Sequence, residues 1–505
     1  MSTLNLSPID LYNQELINNV HPQTWKNPTP QSKYNMVVIG AGTAGLITAI
    51  ATASLGGKVA LIEKHLMGGD CLNVGCVPSK ALISAAKVAY DIQNAESFGF
   101  ENHGVSAETF PKVMERLRKV RAEISKNDSA KRYSDLGVDV FIGEGVFTGN
   151  NTIQVGNDTL NFKKAVIATG AKAGIPPIPG INTIDFLTNE NIFNLTERPE
   201  HLIVIGGGPI GCELAQSFRR LGSKVSIIQD KLFLPLEDPD ASKILEEVFQ
   251  KEGIDVHLNA KITQVEPKSD GQKQITLESN GKTVVLQGTH VLVSAGRTPN
   301  VENLGLEKVG VEFDKRFGIK VSDKLQTTNK SIYAAGDCCM QWKFTHAADA
   351  AAQIVVQNAL FKGNKKISDL TMPWCTYTQP EIAHVGLYER DAKEKNIEID
   401  FFKFDLSEND RAIAEGKTNG FVKVMVKKGT DQILGATIVA SNAGDMISEI
   451  TTAMKAKLGL GGIAGVIHPY PTQADAIKRV AGMYNKTRLT PFVAKILKKW
   501  LNFQL

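Results

Sequence analysis

From Tyr34 onward, short and wholly apolar runs alternate with glycine turns and longer amphipathic stretches, the pattern of buried parallel strands joined by helices. Met36-Val37-Val38-Ile39 runs straight into Gly40-Ala41-Gly42-Thr43-Ala44-Gly45, then a helix over about 46–55 and a second apolar run, Lys58-Val59-Ala60-Leu61-Ile62-Glu63. The same grammar returns at Leu202-Ile203-Val204-Ile205, Gly206-Gly207-Gly208-Pro209-Ile210-Gly211, a helix through Leu221, and Lys224-Val225-Ser226-Ile227-Ile228-Gln229. This predicts two βαβ dinucleotide folds. From about Leu370 strand-like runs at 420–426 and 433–439 mix with a helical stretch at 446–457, which predicts an α+β domain.

The two ends read differently. Residues 1–33 are polar and carry Pro8, Pro22, Pro28 and Pro30, which suits an arm or extended lead-in. Residues 492–505 mix apolar side chains with Lys495, Lys498 and Lys499, as a basic amphipathic helix does. Packing against its own domain is the plain account of that helix, with membrane-surface or partner binding as the alternative. The uncharged stretch 36–57 is long enough to cross a bilayer, but its glycine spacing and β-branched start predict a strand, a turn and a helix.

A length of 505 residues, 42% hydrophobic and 22% charged, fits about three ordinary folded domains. The formal charge of +4 is dispersed, without the basic block of a nucleic-acid or polybasic membrane surface, so no nucleic-acid partner and no stable membrane association are expected. Six cysteines are too sparse for a secreted disulfide scaffold, and residues 1–10 lack a basic segment leading into an apolar one. The expected location is the cytoplasm, where a persistent disulfide is catalytic or a sensor.

That context bears on the run Gly68-Gly69-Asp70-Cys71-Leu72-Asn73-Val74-Gly75-Cys76-Val77-Pro78-Ser79-Lys80, which follows the first nucleotide fold. Cys71 and Cys76 read as a redox disulfide. Pro78 can open a helix at its first turn, so the helix N-terminus should depress the Cys76 pKa, leaving Cys71 to attack the substrate. In the fingerprint, Gly40 permits the tight turn, Gly42 lets backbone approach a pyrophosphate, Gly45 lets helix and strand pack, and Glu63 suits a ribose hydroxyl. The second fingerprint, Gly206, Gly208 and Gly211, ends in Gln229-Asp230-Lys231. Gln229 tolerates a 2′-phosphate, Lys231 assists it and Asp230 opposes it, so NADPH or NADH stays open. Two nucleotide sites beside one cysteine pair imply a path from a nicotinamide through a flavin to the disulfide.

The run 68–80 resembles the active-site sequence of the class I pyridine nucleotide-disulfide oxidoreductases, a family that includes glutathione reductase, dihydrolipoyl dehydrogenase and mercuric reductase. Both fingerprints, Ala168-Thr169-Gly170, Gly296-Arg297-Thr298-Pro299-Asn300 and Gly336-Asp337 stand in that family's order, and the likeness runs from residue 34 to about 490. It implies an α/β fold with two Rossmann-like dinucleotide-binding domains plus a C-terminal α+β dimerisation domain, and a homodimer. The implied boundaries are an arm at 1–33, an FAD domain at 34–172 and 302–367, an NAD(P) domain at 173–301, an interface domain at 368–490 and a tail at 491–505. The resemblance places FAD on the first fold, with Asp337 on the ribityl chain and Lys80 near the ring, paired with Glu213. Gly145, Thr169, Gly170, Gly336 and Thr345 are further FAD positions, and Gly296 and Arg297 belong to the same cofactor framework.

The family's His-Pro-Thr-x-x-Glu pattern, lent to the partner's active site, reads here Tyr470-Pro471-Thr472-Gln473-Ala474-Asp475. Tyrosine, with an ordinary pKa near 10, is a poor proton shuttle. Tyr470 and Asp475 resemble mercuric reductase more than the dithiol enzymes. A soft metal ion on Cys71 and Cys76 needs thiolates more than a shuttle. Yet mercuric reductases also carry a vicinal cysteine pair near the C-terminus, and no cysteine follows Cys375 here. His468 is an alternative base or a structural residue. Cys338, Cys339, Cys212, Cys375 and His346 read as packing, and no cluster has metal-ligand spacing. The expected activity is NAD(P)H oxidoreduction toward a small thiol-reactive, disulfide or soft-metal acceptor. Mercury(II) reduction, dihydrolipoyl dehydrogenation and a flavin redox sensor docking a partner or membrane are the alternatives.

Overall fold

The computed structural model describes residues 6–101, 104, 106 and 108–505, so half of the segment 1–10, whose composition bears on a leader, lies outside them. Among these residues the chain forms two compact units, one running through Asp230 and resuming at Glu252–Leu370, the other comprising Lys231–Lys251 and Thr371–Leu505.

In the first unit the apolar run Tyr34–Ile39 is the centre of a parallel sheet because almost every side chain can be buried on one face or the other. It pairs in parallel with Val59–Glu63 on one side and Asp158–Ile167 on the other. Val138–Ile142 closes one edge beside Val59–Glu63, and Ile332–Ala334 adds in parallel to Asp158–Ile167. Two antiparallel strands, Gly145–Gly149 and Thr152–Val155, hang from Asp158–Ile167. Phe141, Phe147, Phe162, Ile332 and Cys338 share the core beneath. Stretch 36–57 is thus strand, turn and helix, and among the described residues no helix is long and apolar enough to cross a membrane.

The second nucleotide fold lies in the same unit, as a parallel sheet ordered Asp255–His257, Lys224–Ile228, His201–Ile205, His290–Val293. A three-stranded antiparallel sheet, Ala260–Pro267, Lys273–Ser279 and Lys282–Gly288, packs with it around Ile203, Val265 and Ile275.

The helix Pro239–Lys251, inside the segment 173–301 on sequence grounds, groups instead with the C-terminal unit. The reason is a polar anchor just before it. Buried Glu237 accepts from the Trp374 indole at 2.8 Å and from the Tyr388 hydroxyl, and Lys423 meets Asp238 at 3.0 Å. The unit is built on an antiparallel sheet ordered Pro373–Thr376, Glu381–Gly386, Ile433–Ala440, Phe421–Lys427, Ile399–Asp405. Helices Ala443–Lys455 and Asp475–Thr487 bring Met446, Ile450, Ile477 and Val480 into its core.

Both ends depart from expectation. Leu11–Val20 is a helix, capped by Asp10 accepting from the Asn13 N–H, rather than an extended lead-in. Its buried residues, Asn13, Leu16, Ile17 and Val20, have the spacing of a helical stripe with an asparagine in the first apolar place. The segment behind it stays bonded to the sheet: Trp25 donates to the Val140 carbonyl at 3.1 Å, and the Asn27 amide pairs with both backbone groups of Ile142. At the other end Pro491–Phe503 is a helix, but no residue of it is buried, so packing against its own domain does not account for it.

Candidate functional site

The first glycine loop is shaped by close backbone contacts. Gly40 sits at φ +102°, and a Cβ there would stand 2.3 Å from the Ala168 carbonyl oxygen; one on Gly45 would stand 1.8 Å from that of Gly40. At Gly42 the nearest atom to such a Cβ is Gly69 Cα at 3.8 Å, so this glycine leaves room rather than avoiding a clash. It caps the helix Thr43–Ser54 without any side-chain hydrogen bond, and the helix dipole faces the gap. Glu63 ties the loop down, its two carboxylate oxygens accepting from the Ala41 N–H at 2.7 Å and the His65 N–H at 2.8 Å.

The second loop repeats the device with a neutral side chain. Gln229 accepts from the Gly207 N–H at 2.6 Å and donates to Asp230 at 2.7 Å. A Cβ on Gly208 would meet no atom within 4 Å, while one on Gly211 would lie 1.9 Å from the Gly206 carbonyl oxygen. Gly208 caps the helix Pro209–Arg220, again without a side chain. Two helix N-termini without a side-chain cap, each fronted by a glycine with space above it, fit the pyrophosphates of two dinucleotides.

Between the loops lie the cysteines. A short helix, Gly69–Asn73, carries Cys71, and the helix Cys76–Gln93 begins at the second cysteine with Gly75 as a cap lacking any side-chain bond. The two sulfurs are not bonded to each other. Cys76 lies 3.3 Å from the Thr345 hydroxyl, which opens the helix Thr345–Phe361. Its pKa falls to about 6, because the Cys71 thiol and the Thr345 hydroxyl donate to its sulfur and Lys80 adds positive charge. The same bond raises the Cys71 pKa, so the pair holds one proton, on Cys71.

Lys80, one turn on from Cys76, pairs with buried Glu213 of the Pro209 helix at 2.9 Å, the pairing the family resemblance implies. Arg297 spans the neighbourhood: it meets Asp70 beside Cys71, donates to the Ala171 carbonyl at 2.8 Å and faces Asp337 at 3.6 Å. Burial raises the Asp337 pKa against the pull of Arg297 and Lys343. The buried Arg297 Nε has no hydrogen-bond partner among the described residues. A carboxylate and a guanidinium beyond hydrogen-bond reach of each other suit a hydroxyl-rich ligand chain. Thr169 and Asn300 bond each other's backbone carbonyls at 2.6 and 3.0 Å and hold Gly170, while Gly296 keeps φ +125° with open space above it. Gly336, at φ +83°, lets its turn approach Ala44. At Gly145 a Cβ would stand 3.2 Å from Ile62 and 3.5 Å from Ile39.

In the C-terminal unit Tyr470 and Asp475 take separate partners. The exposed Tyr470 hydroxyl donates to Asp410 at 2.9 Å, and that carboxylate raises the phenol's pKa. Asp475 accepts from Arg479 at 2.9 Å. The His468 ring is buried, with Nε2 at 2.9 Å from Glu449 and Nδ1 at 3.2 Å from the Val466 carbonyl, so both nitrogens are engaged. Cys338 and Cys212 lie buried against backbone carbonyls, and no group of three or more potential metal-ligating side chains occurs among the described residues.

Sequence reasoning missed several contributors. Arg121, almost fully buried, donates to the Asn73 carbonyl at 2.8 Å and to Asn13 at 2.7 Å, joining the N-terminal helix to the cysteine loop. Asp70 on Arg297 and Asp410 on Tyr470 connect residues too far apart in sequence for spacing to announce them.

Comparison with known proteins bears on most of the chain. Residues 34–352 match the family described as pyridine nucleotide-disulphide oxidoreductase, and residues 372–481 match its dimerisation domain, which indicates a homodimer. A mercuric reductase of Bacillus cereus is 35% identical over 90% of this chain and 72% of that protein. A dihydrolipoyl dehydrogenase of Chlamydia trachomatis is 36% identical over 88% of this chain and 95% of that protein. Among solved structures, the Cu(II) complex of the HOCl-induced flavoprotein disulfide reductase RclA from Escherichia coli has a TM-score of 0.79 at 29% identity, covering 90% of this chain and all of that one.

Proposed function

The chain belongs to the pyridine nucleotide-disulphide oxidoreductase family, whose members use FAD and NAD(P)H, and from that premise we propose an oxidoreductase that passes electrons through Cys71 and Cys76 to a soft-metal or other thiol-reactive acceptor. The carrying observation is the thiol pair at a helix N-terminus, with Cys76 held as thiolate by Cys71, Thr345 and Lys80. Bound FAD supplies the two-electron connection between nicotinamide and disulfide.

The residues divide the remaining work. Gly40, Gly42, Gly45 and the Thr43 helix hold the FAD pyrophosphate, Glu63 the adenosine ribose and Asp337 the polyol chain. Gly206, Gly208, Gly211 and Gln229 hold the nicotinamide nucleotide, and Lys80, fixed by Glu213, positions the reactive ends. When the Cys71–Cys76 bond takes two electrons and one proton, it opens to a Cys71 thiol and a Cys76 thiolate. Cys71 keeps the proton because its pKa is raised. Transfer of the electron pair to the acceptor re-forms the disulfide and releases that proton.

Tyr470 narrows the acceptor. Asp410 keeps its phenol protonated, so it is a poor proton carrier for dithiol exchange, and a dihydrolipoyl reading lacks its base. A soft cation asks for thiolate ligands instead. Relatives named mercuric reductase and relatives named dihydrolipoyl dehydrogenase are about equally similar, so the choice between them rests on Tyr470. The proposed setting is the cytoplasm.

The test is spectroscopic. Purified protein reduced with NADH or NADPH should show the long-wavelength charge-transfer band of a thiolate against oxidised flavin, and Cys76→Ser should remove it. Absence of flavin from the purified protein, or a band that survives in the variant, overturns the proposal. Turnover with mercuric ion, cupric ion, glutathione disulfide and lipoamide then assigns the acceptor.

A further inference from the structure

The helix Pro491–Phe503 has everything needed to start, yet buries none of its residues. Thr490 caps it, accepting from the Val493 N–H at 3.3 Å, and Pro491 occupies the first turn. Thirteen residues alone are marginal as a helix in water, so a covered face must supply the missing stability. That face is well defined. At helical spacing Phe492, Val493, Ile496, Leu497, Trp500, Leu501 and Phe503 fall on one side, and Lys495, Lys498, Lys499 and Asn502 on the other. The apolar side is open to solvent, with Phe492 72%, Trp500 59% and Phe503 85% exposed.

Charge identifies the occupant. Residues 476–505 contain Lys478, Arg479, Lys486, Arg488, Lys495, Lys498 and Lys499, and no aspartate or glutamate. An apolar face bearing tryptophan and phenylalanine, backed by lysines and no acidic residue, matches an anionic lipid surface, with the rings at headgroup depth and the lysines among phosphates. The helix is about 20 Å long, too short to cross a bilayer core of about 30 Å, so it lies in the interface. We propose that the Pro491–Phe503 helix docks this protein reversibly on anionic phospholipid membrane. The inference is independent of the electron acceptor and replaces the expectation that the tail packs on its own domain and leaves the protein off membranes.

The experiment is flotation of the intact holoenzyme with vesicles of equal parts phosphatidylglycerol and phosphatidylcholine, beside vesicles of phosphatidylcholine alone. Binding to the first, weak binding to the second and release at high salt are expected. Lys495→Gln, Lys498→Gln and Lys499→Gln together should weaken binding on the order of a hundredfold, and Trp500→Ser should weaken it too. A chain stopped after Thr490 should lose binding while keeping its flavin spectrum, its mass in solution and its turnover with soluble acceptor, because no residue of the helix is buried. Absence of vesicle binding by the intact protein overturns the proposal. So does loss of the dimer in the shortened chain, which would assign the apolar face to a second copy.

Discussion

Cys76 carries its negative charge through contacts that can be removed one at a time. Its pKa of about 6 lies below the ordinary thiol range, so the thiolate should persist through neutrality and be lost as pH falls through 6. Alkylation by iodoacetamide followed against pH should show that midpoint. Thr345→Val and Lys80→Gln should each move it upward, since the hydroxyl bond and the ammonium charge both favour the thiolate. At Tyr470 the expectation runs toward gain. Tyr470→His places an imidazole beside Asp410, and turnover with glutathione disulfide or lipoamide should rise about tenfold or more, as a proton carrier near neutral pKa permits. Unchanged turnover would mean that proton transfer does not limit those acceptors.

The glycine-loop elements separate folding from binding. Gly208→Ala meets no protein atom, so melting temperature should hold while the dissociation constant for NAD(P)H, followed by fluorescence, rises at least tenfold. Gly211→Ala, its Cβ 1.9 Å from a carbonyl oxygen, should lower the melting temperature itself. These loops, the cysteine run and the Lys80–Glu213 pair were legible because their chemistry is written in contiguous residues or fixed motif positions. The N-terminal helix was not. Asn13 occupies a place in its buried stripe where a hydrophobic residue would have announced the pattern, and its reason for being there, Arg121, stands 108 positions away. Likewise, Asp230 accepting from Gln229, and Glu237 drawing Trp374 and Tyr388 around it, depend on side-chain directions that periodicity does not carry. Asn13→Ala would leave a buried guanidinium short of an acceptor and should cost about 2 kcal/mol, read as a lowered unfolding midpoint.

For the molecule as a whole, the match to the dimerisation domain implies a mass in solution about twice the 54.8 kDa of one chain. The family match begins at residue 34, which makes Tyr34 a tempting place to start a shortened gene. The hydrogen bonds from Trp25 and Asn27 argue against it. Val138–Ile142 is the last strand of its sheet, and those two side chains occupy the carbonyls of Val140 and Ile142 and the N–H of Ile142. Without residues 6–33 that rim would offer bare main-chain groups to any neighbouring copy, as unprotected sheet borders do. Protein begun at Tyr34 should therefore be recovered as precipitate or soluble aggregate by light scattering, where the full chain stays dispersed. On that outcome the segment that looked dispensable would be a guard against self-association.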